Sequence, residues 1–202
     1  MDNYEISRDR AQQYFLNFDQ QKMIAQWNLQ HDAQFLYVTF ISRPYRICRA
    51  TGAVQRCWDG SAAGFEETLS IFDFLCHESE VKLLTGNWAP VNSLNGLTCT
   101  AGVGTDFHVK LSRHFDADPE GFQAACRQLG GERVDLGDIG FRIPIFGDFG
   151  TVVKFYYSDD EFPAATTLLW DENALQFLFY ETVFYVAGFL LKSIACIMDT
   201  QK

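Results

Sequence analysis

The sequence predicts one α+β domain over residues 1–202: a mainly antiparallel sheet packed against helices, with a buried C-terminal helix. Three observations predict it. Short apolar runs joined by tight polar turns fill residues 35–58 and 139–170, the signature of antiparallel strands. Apolar residues recur at helical spacing in 65–76, 119–129 and 179–197. No repeat, low-complexity run or linker-like stretch divides the chain.

The elements follow in order. Tyr4, Ala11, Phe15 and Phe18 mark a first helix, and Asp19 is a cap for a second that carries Met23, Ile24 and Trp27. Residues 35–41 are apolar on both faces, as in a central strand, and Ser42-Arg43-Pro44 is the expected turn. Residues 45–49 return, Thr51-Gly52 turns again, and 53–58 make a third strand. Phe65, Leu69, Phe72 and Cys76 share one helix face. Residues 84–104 carry Gly, Pro and Asn without a period and read as an ordered loop. Thr105 is an N-cap candidate for a helix with Phe107, Leu111, His114 and Phe115 on its apolar side.

Asp118 caps the next helix, with Pro119 at its first position, where a missing N–H costs nothing, and Gly130-Gly131 ends it. Residues 139–145 alternate as a half-buried strand, and Pro144 places that strand at an edge or beside a bulge. Residues 147–150 turn into a strand over 152–157, an acidic loop fills 158–163, and 166–170 form another strand. Asp171 caps a short helical turn, and residues 179–197 form the last helix.

Composition restricts the function. Aromatic residues make up 15% of the chain, 19 of them Phe, enough for a sizeable core with some area left for a partner. The formal net charge of -10 argues against nucleic acid and anionic membrane surfaces as partners. Six cysteines without a C-x-x-C pair suit neither zinc nor iron–sulfur ligation. The polar N-terminus MDNYEISRDR is no secretory signal, so free thiols in a cytoplasmic protein are the expectation. Glu181 and Lys192 interrupt the most apolar segment, which reads as a core helix and not an anchor.

The order LTGNWAPVNSL, LGGERVDLGDIGFRIP and SDDEFPAATTLLWDENALQFL resembles the domain-of-unknown-function family numbered 3786, over about residues 65–202. The resemblance implies a bacterial or archaeal source, mostly among anaerobes, and it carries no activity or catalytic residues. Some members bear an N-terminal cysteine-rich segment that looks like an iron–sulfur module; residues 1–47 here contain no cysteine, so no cofactor is carried over.

The candidate chemistry is sparse. Asp159, Asp160 and Glu161 are candidate catalytic acids, able to hold Mg²⁺ or to split into general acid and base. The same loop also reads as a solvated turn in which Phe162 anchors the chain and Pro163 stiffens the exit. Asp138 and Arg142 are ligand-binding candidates, although Asp135 and Asp138 better suit a structural role on backbone N–H groups at the entry to the sheet. Arg43, Arg46, Arg49 and Arg56 form the one basic cluster; Arg46 is its anion-binding candidate, against a role in shielding sheet edges. Trp88 is a pocket wall or a plug over the core.

His108 and His114, six apart, lie about 240° apart around a helix and cannot ligate one metal together, and no metal site is assigned. Cys76 and His77 point about 100° apart, so thiol and base do not meet. Two function classes follow. The first is a non-catalytic module that binds a small molecule or a protein partner. The second is a divalent-metal-assisted enzyme on the 158–161 loop. Whether the protein is an enzyme stays open, and a homodimer built on spare aromatics of the last helix is compatible with either class.

Overall fold

Every element below comes from a computed structural model that describes residues 3–79, 82–97 and 106–200, with the backbone alone described for 3–4 and 106–109. The fold class is α+β. The described residues form six α-helices and two antiparallel sheets, and the C-terminal helix is packed in. The strands divide between two compact units, one spanning Met1–Lys82 with Gln176–Val186, the other Leu83–Leu175 with Ala187–Lys202. One sheet was expected; each meander instead pairs only with itself, through its own hairpins.

The first unit opens with α1 (Asn3–Asn17) and α2 (Gln20–Trp27). Asp19 caps α2 by accepting the Gln21 and Lys22 N–H groups. The sheet runs β1 (Gln30–His31), β2 (Phe35–Phe40), β3 (Arg43–Cys48), β4 (Val54–Arg56), neighbours in space as in sequence. The β2–β3 turn is Ile41-Ser42, not residues 42–44. Both are left-handed (φ 47° and 58°), and Phe40 pairs with Arg43, so this is a two-residue hairpin turn of the primed kind. A β-branched residue there costs about 1–3 kcal/mol. Complete burial of Ile41 offsets that by a similar amount, which is why the local turn signal at Ser42-Arg43-Pro44 loses.

Helix α3 (Phe65–Cys76) packs on α1, α2 and β2. Phe15 stacks on Phe72 with ring centres 4.9 Å apart, and Leu36, Phe40, Tyr45 and Ile47 are wholly buried beside them. The start of α3 is fixed by one carboxylate. Glu67, with 3% of its side chain exposed, accepts from Arg56 Nε (2.9 Å), Arg56 Nη2 (2.5 Å), the Tyr45 hydroxyl (2.6 Å) and the Gly64 N–H (2.6 Å). Burial pushes its pKa up, but the Arg56, Tyr45 and Gly64 bonds together prevail and hold it below the ordinary glutamate value.

In the second unit, β5 (Trp88–Pro90) lies at one edge of a sheet ordered β5-β9-β8-β7-β6, with β6 (Glu132–Val134), β7 (Ile139–Phe146), β8 (Phe149–Tyr156) and β9 (Ala165–Asp171). β5 was expected to be loop; three residues of Trp-Ala-Pro carry no alternation to betray a strand. Helix α4 (Asp106–Ala117) packs on β9, and α5 (Pro119–Gln128) on β7. Asp118 caps α5 through the Gly121 N–H, and Gly130 (φ 74°) ends it as expected. The Thr105 cap, Cys99 and the side chains of Tyr4, Asp106, Phe107 and His108 lie outside the described residues.

Of the two places open to Pro144, the structure shows the bulge. β7 is interior, its register shifts between Pro144 and Phe146, and β6 has already ended at the level of Arg142. Gly140 is obligatory for another reason: a Cβ there would stand 2.5 Å from the Leu136 carbonyl and 2.8 Å from that of Val134.

Helix α6 (Tyr180–Thr200) is by length and composition able to cross a bilayer, with mean hydropathy 1.6 over its most apolar 18 residues, but 56% of that stretch is buried within the protein.

Two outcomes are expected. Glu67→Gln lowers stability by about 2–3 kcal/mol at neutral pH, less than the loss from a wholly buried pair because Arg56 keeps some access to water. Because the folded-state pKa is depressed, the wild type keeps this stability above the unfolded glutamate value and loses it as pH falls through the folded one; denaturant melts from pH 7 down to 3 show a flatter profile in the variant. Gly140→Ala costs about 3 kcal/mol in the same melts, since backbone and not a flexible side chain must give way.

Candidate functional site

Asp159 is committed to its own loop: its carboxylate accepts the Glu161 and Phe162 N–H groups at 2.8 and 2.7 Å, and bonds to the latter lower its pKa most. Ser158 is tied to Asp116 through its hydroxyl (2.6 Å), while Asp160 and Glu161 stand exposed. Phe162 does not anchor the loop; it is 67% exposed, because the turn set by Asp159 points it outward.

Asp138 accepts the Tyr157 N–H at 2.9 Å, and Arg142 donates to the Asp148 carbonyl at 2.7 Å across the β7–β8 turn. Trp88 pairs with Asp171, the last residue of β9, whereas the acidic loop enters β9 at Ala165, roughly 20 Å away at the strand rise. Trp88 and Arg142 are three strands apart, about 14 Å. Asp138 thus lies at the entry to the acidic loop, but Trp88 and Arg142 are brought neither to each other nor, in the case of Trp88, to that loop. Among the described residues, no group of three or more His, Cys, Asp or Glu is arranged to hold a metal ion.

The basic cluster is spent on the first sheet. Arg46 donates to Gln55 and covers the Phe35 ring, Arg49 holds Gln20 and the Asp32 carbonyl, and Arg56 holds Glu67. Arg43 lies over Trp58. His114 is half-buried, with Nε2 3.3 Å from the Asp199 carboxylate.

A different constellation forms at the C-terminal end of α3, inside the first unit. Asp73 and His77, one turn apart and each about 7% exposed in its side chain, bring Oδ1 and Nδ1 to 3.5 Å. The second oxygen of Asp73 accepts the Phe179 N–H at 2.8 Å, and the Phe179 ring meets the His77 ring edge-on. Cys76 is buried, and burial above all, then the Asp73 charge, pushes its thiol up to about 12. It stays a neutral thiol at physiological pH, and His77 turns to Asp73 as the 100° offset requires.

Lys82 closes this end of the helix. Its Nζ donates to the His77 carbonyl at 2.6 Å and lies 4.5 Å from the centre of the Trp27 ring. Trp27 is itself fixed, its indole N–H on the Leu75 carbonyl and its ring on Phe74. Burial brings the Lys82 pKa down to about 8, against the attraction of Asp73.

Two clefts flank the helix end. One, of about 290 Å³, is mostly apolar, with Ala11, Tyr14, Phe72, Asp73 and Phe179 in its wall. The other, of about 640 Å³, is lined by Phe18, Lys22, Trp27, His77, Glu78 and Lys82 together with Phe177. The second has the size of a small-molecule site and combines three aromatic residues with six polar or charged ones. Sequence reasoning missed it. The Asp-x-x-x-His spacing of 73 and 77 was a readable signal; nothing local tied Lys82 to Trp27, 55 positions earlier.

A family model described as Domain of unknown function (DUF3786) matches residues 19–193, beginning well before the stretch that carries the motif resemblance. No curated protein and no solved structure matches.

Asp159→Ala is expected to cost about 1 kcal/mol through the two freed N–H groups, by an equal amount with and without Mg²⁺ or Mn²⁺ in thermal melts.

Proposed function

This chain belongs to the DUF3786 family, and we propose that it is a non-catalytic binding module for a small molecule, held in the Lys82 cleft. One observation carries the reading. A lysine amine is drawn partly out of water, pinned by a backbone carbonyl and an indole face, and left on the wall of a cleft with three aromatic neighbours. Drawing a cation out of water is costly, and this one closes no ion pair recorded among the described residues. Cleft walls are where such a group repays its burial, by meeting a ligand already oriented.

The chemistry around it supports binding over catalysis. The neighbouring thiol is held protonated, which leaves no thiolate nucleophile at the cleft. The setting we propose is the reducing cytoplasm of a bacterial or archaeal cell; the five described cysteines are all free thiols, which suits it.

A fragment screen by two-dimensional NMR on the full chain tests this. Fragments are expected to move the Trp27 indole N–H and the His77 amide together. A screen of several hundred diverse fragments that leaves both unmoved would refute a ligand site here.

A further inference from the structure

Resting on the reading of this cleft as a ligand site, we propose that its ligand is a small planar monocarboxylate, with the carboxylate on Lys82 and Lys22 and the ring among Phe18, Trp27 and Phe177. The cation is already oriented. Of the three N–H donors of Lys82, one is used by the His77 carbonyl and a second faces the Trp27 ring, which leaves a third for the cleft. A carboxylate accepting from it replaces water that burial has already thinned, so the charge-assisted bond is stronger than on a freely solvated lysine.

The charge count selects a monoanion. Of the charged side chains lining the wall, Lys22 and Lys82 are positive and Glu78 negative, while Asp73 lies off the wall against His77, so one carboxylate balances the lining and a phosphate dianion overfills it. The lining selects a ring: Phe18, Trp27 and Phe177 offer an aromatic acid contacts that a bare anion such as acetate cannot use.

The same geometry links binding to a proton. The charged and titratable groups facing Lys82 are Lys22 from α2, Asp73 and Cys76 from α3, and His77 and Glu78 just after it. With its pKa at about 8 in the unliganded protein, Lys82 gives up its proton above that pH, whereas a bound carboxylate retains it. Affinity for the carboxylate therefore falls by about tenfold per pH unit above the unliganded value.

Calorimetric titration of the full chain with benzoate, phenyl phosphate and benzyl alcohol between pH 7 and 9.5 tests the proposal. Benzoate is expected to bind at least tenfold tighter than the other two, to weaken above pH 8, and to lose at least tenfold in affinity in Lys82→Met and several-fold in Lys22→Ser. Equal binding of benzyl alcohol would make the cleft merely apolar and overturn the carboxylate assignment while leaving the binding module standing. Preference for phenyl phosphate would overturn it in favour of a phosphate site. Benzoate affinity unchanged in Lys22→Ser and flat with pH would overturn it even if Lys82→Met does not fold. If benzoate fails to bind while fragments of the screen still occupy the cleft, only this inference falls; if no fragment binds either, both fall.

Discussion

The carboxylate of Glu67 holds the functional end of the first unit in place. Four donors from three separate stretches of chain converge on it: Tyr45 in β3, Arg56 in β4, and the Gly64 N–H just ahead of α3. A carboxylate taken from water without those partners would cost several kcal/mol. With them it locks the helix start to the sheet in rotation as well as in position, because Arg56 engages both oxygens. The rotation matters ten residues on: it sets which way Asp73 and His77 point, and hence where Lys82 finds a carbonyl. Aromatic packing of Phe15 on Phe72 and Trp27 on Phe74 supports the same placement but lacks the directional demand.

The second unit uses an acid in a similar way. Asp171, 2% exposed, accepts the Thr85 and Gly86 N–H groups with one oxygen and the Asn173 N–H with the other. It thereby ties the run into β5 to the exit from β9. Asp159, Asp138, Asp118 and Asp19 each satisfy backbone N–H groups too. Much of the acidity in this chain is thus architectural, which explains why acid clusters in the sequence are poor guides to chemistry.

Legibility in the sequence followed the range of the interactions. Helix α5 was plain because its cap, its proline and its glycine stop are all local. The acidic turn was readable as a turn for the same reason. The hairpin at Ile41-Ser42 was misplaced because burial of one isoleucine outweighs the turn preference of Ser-Arg-Pro, and burial is set by residues far along the chain. Strand β5 was invisible since its pairing with β9 spans some eighty positions. The candidate cleft failed to show for that reason too: Lys22, Trp27, His77 and Lys82 are ordinary residues until α2 and the end of α3 are juxtaposed. The α+β class needed none of this, because it rests on periodicity alone.

The first unit is not contiguous along the chain, and this shapes how it is made. Its body ends at Lys82, yet it is completed by Gln176–Val186, which brings the Phe179 N–H that the Asp73 carboxylate awaits. On the ribosome, at about 5–20 residues per second, the intervening stretch takes on the order of 5–20 s to synthesise. Throughout that interval the nascent N-terminal half exposes a hydrophobic seam and an unmet acid, the kind of surface that chaperones hold. The unit closes only once Gln176–Val186 has been made, so any truncation before residue 186 releases an incomplete unit and not a smaller working one.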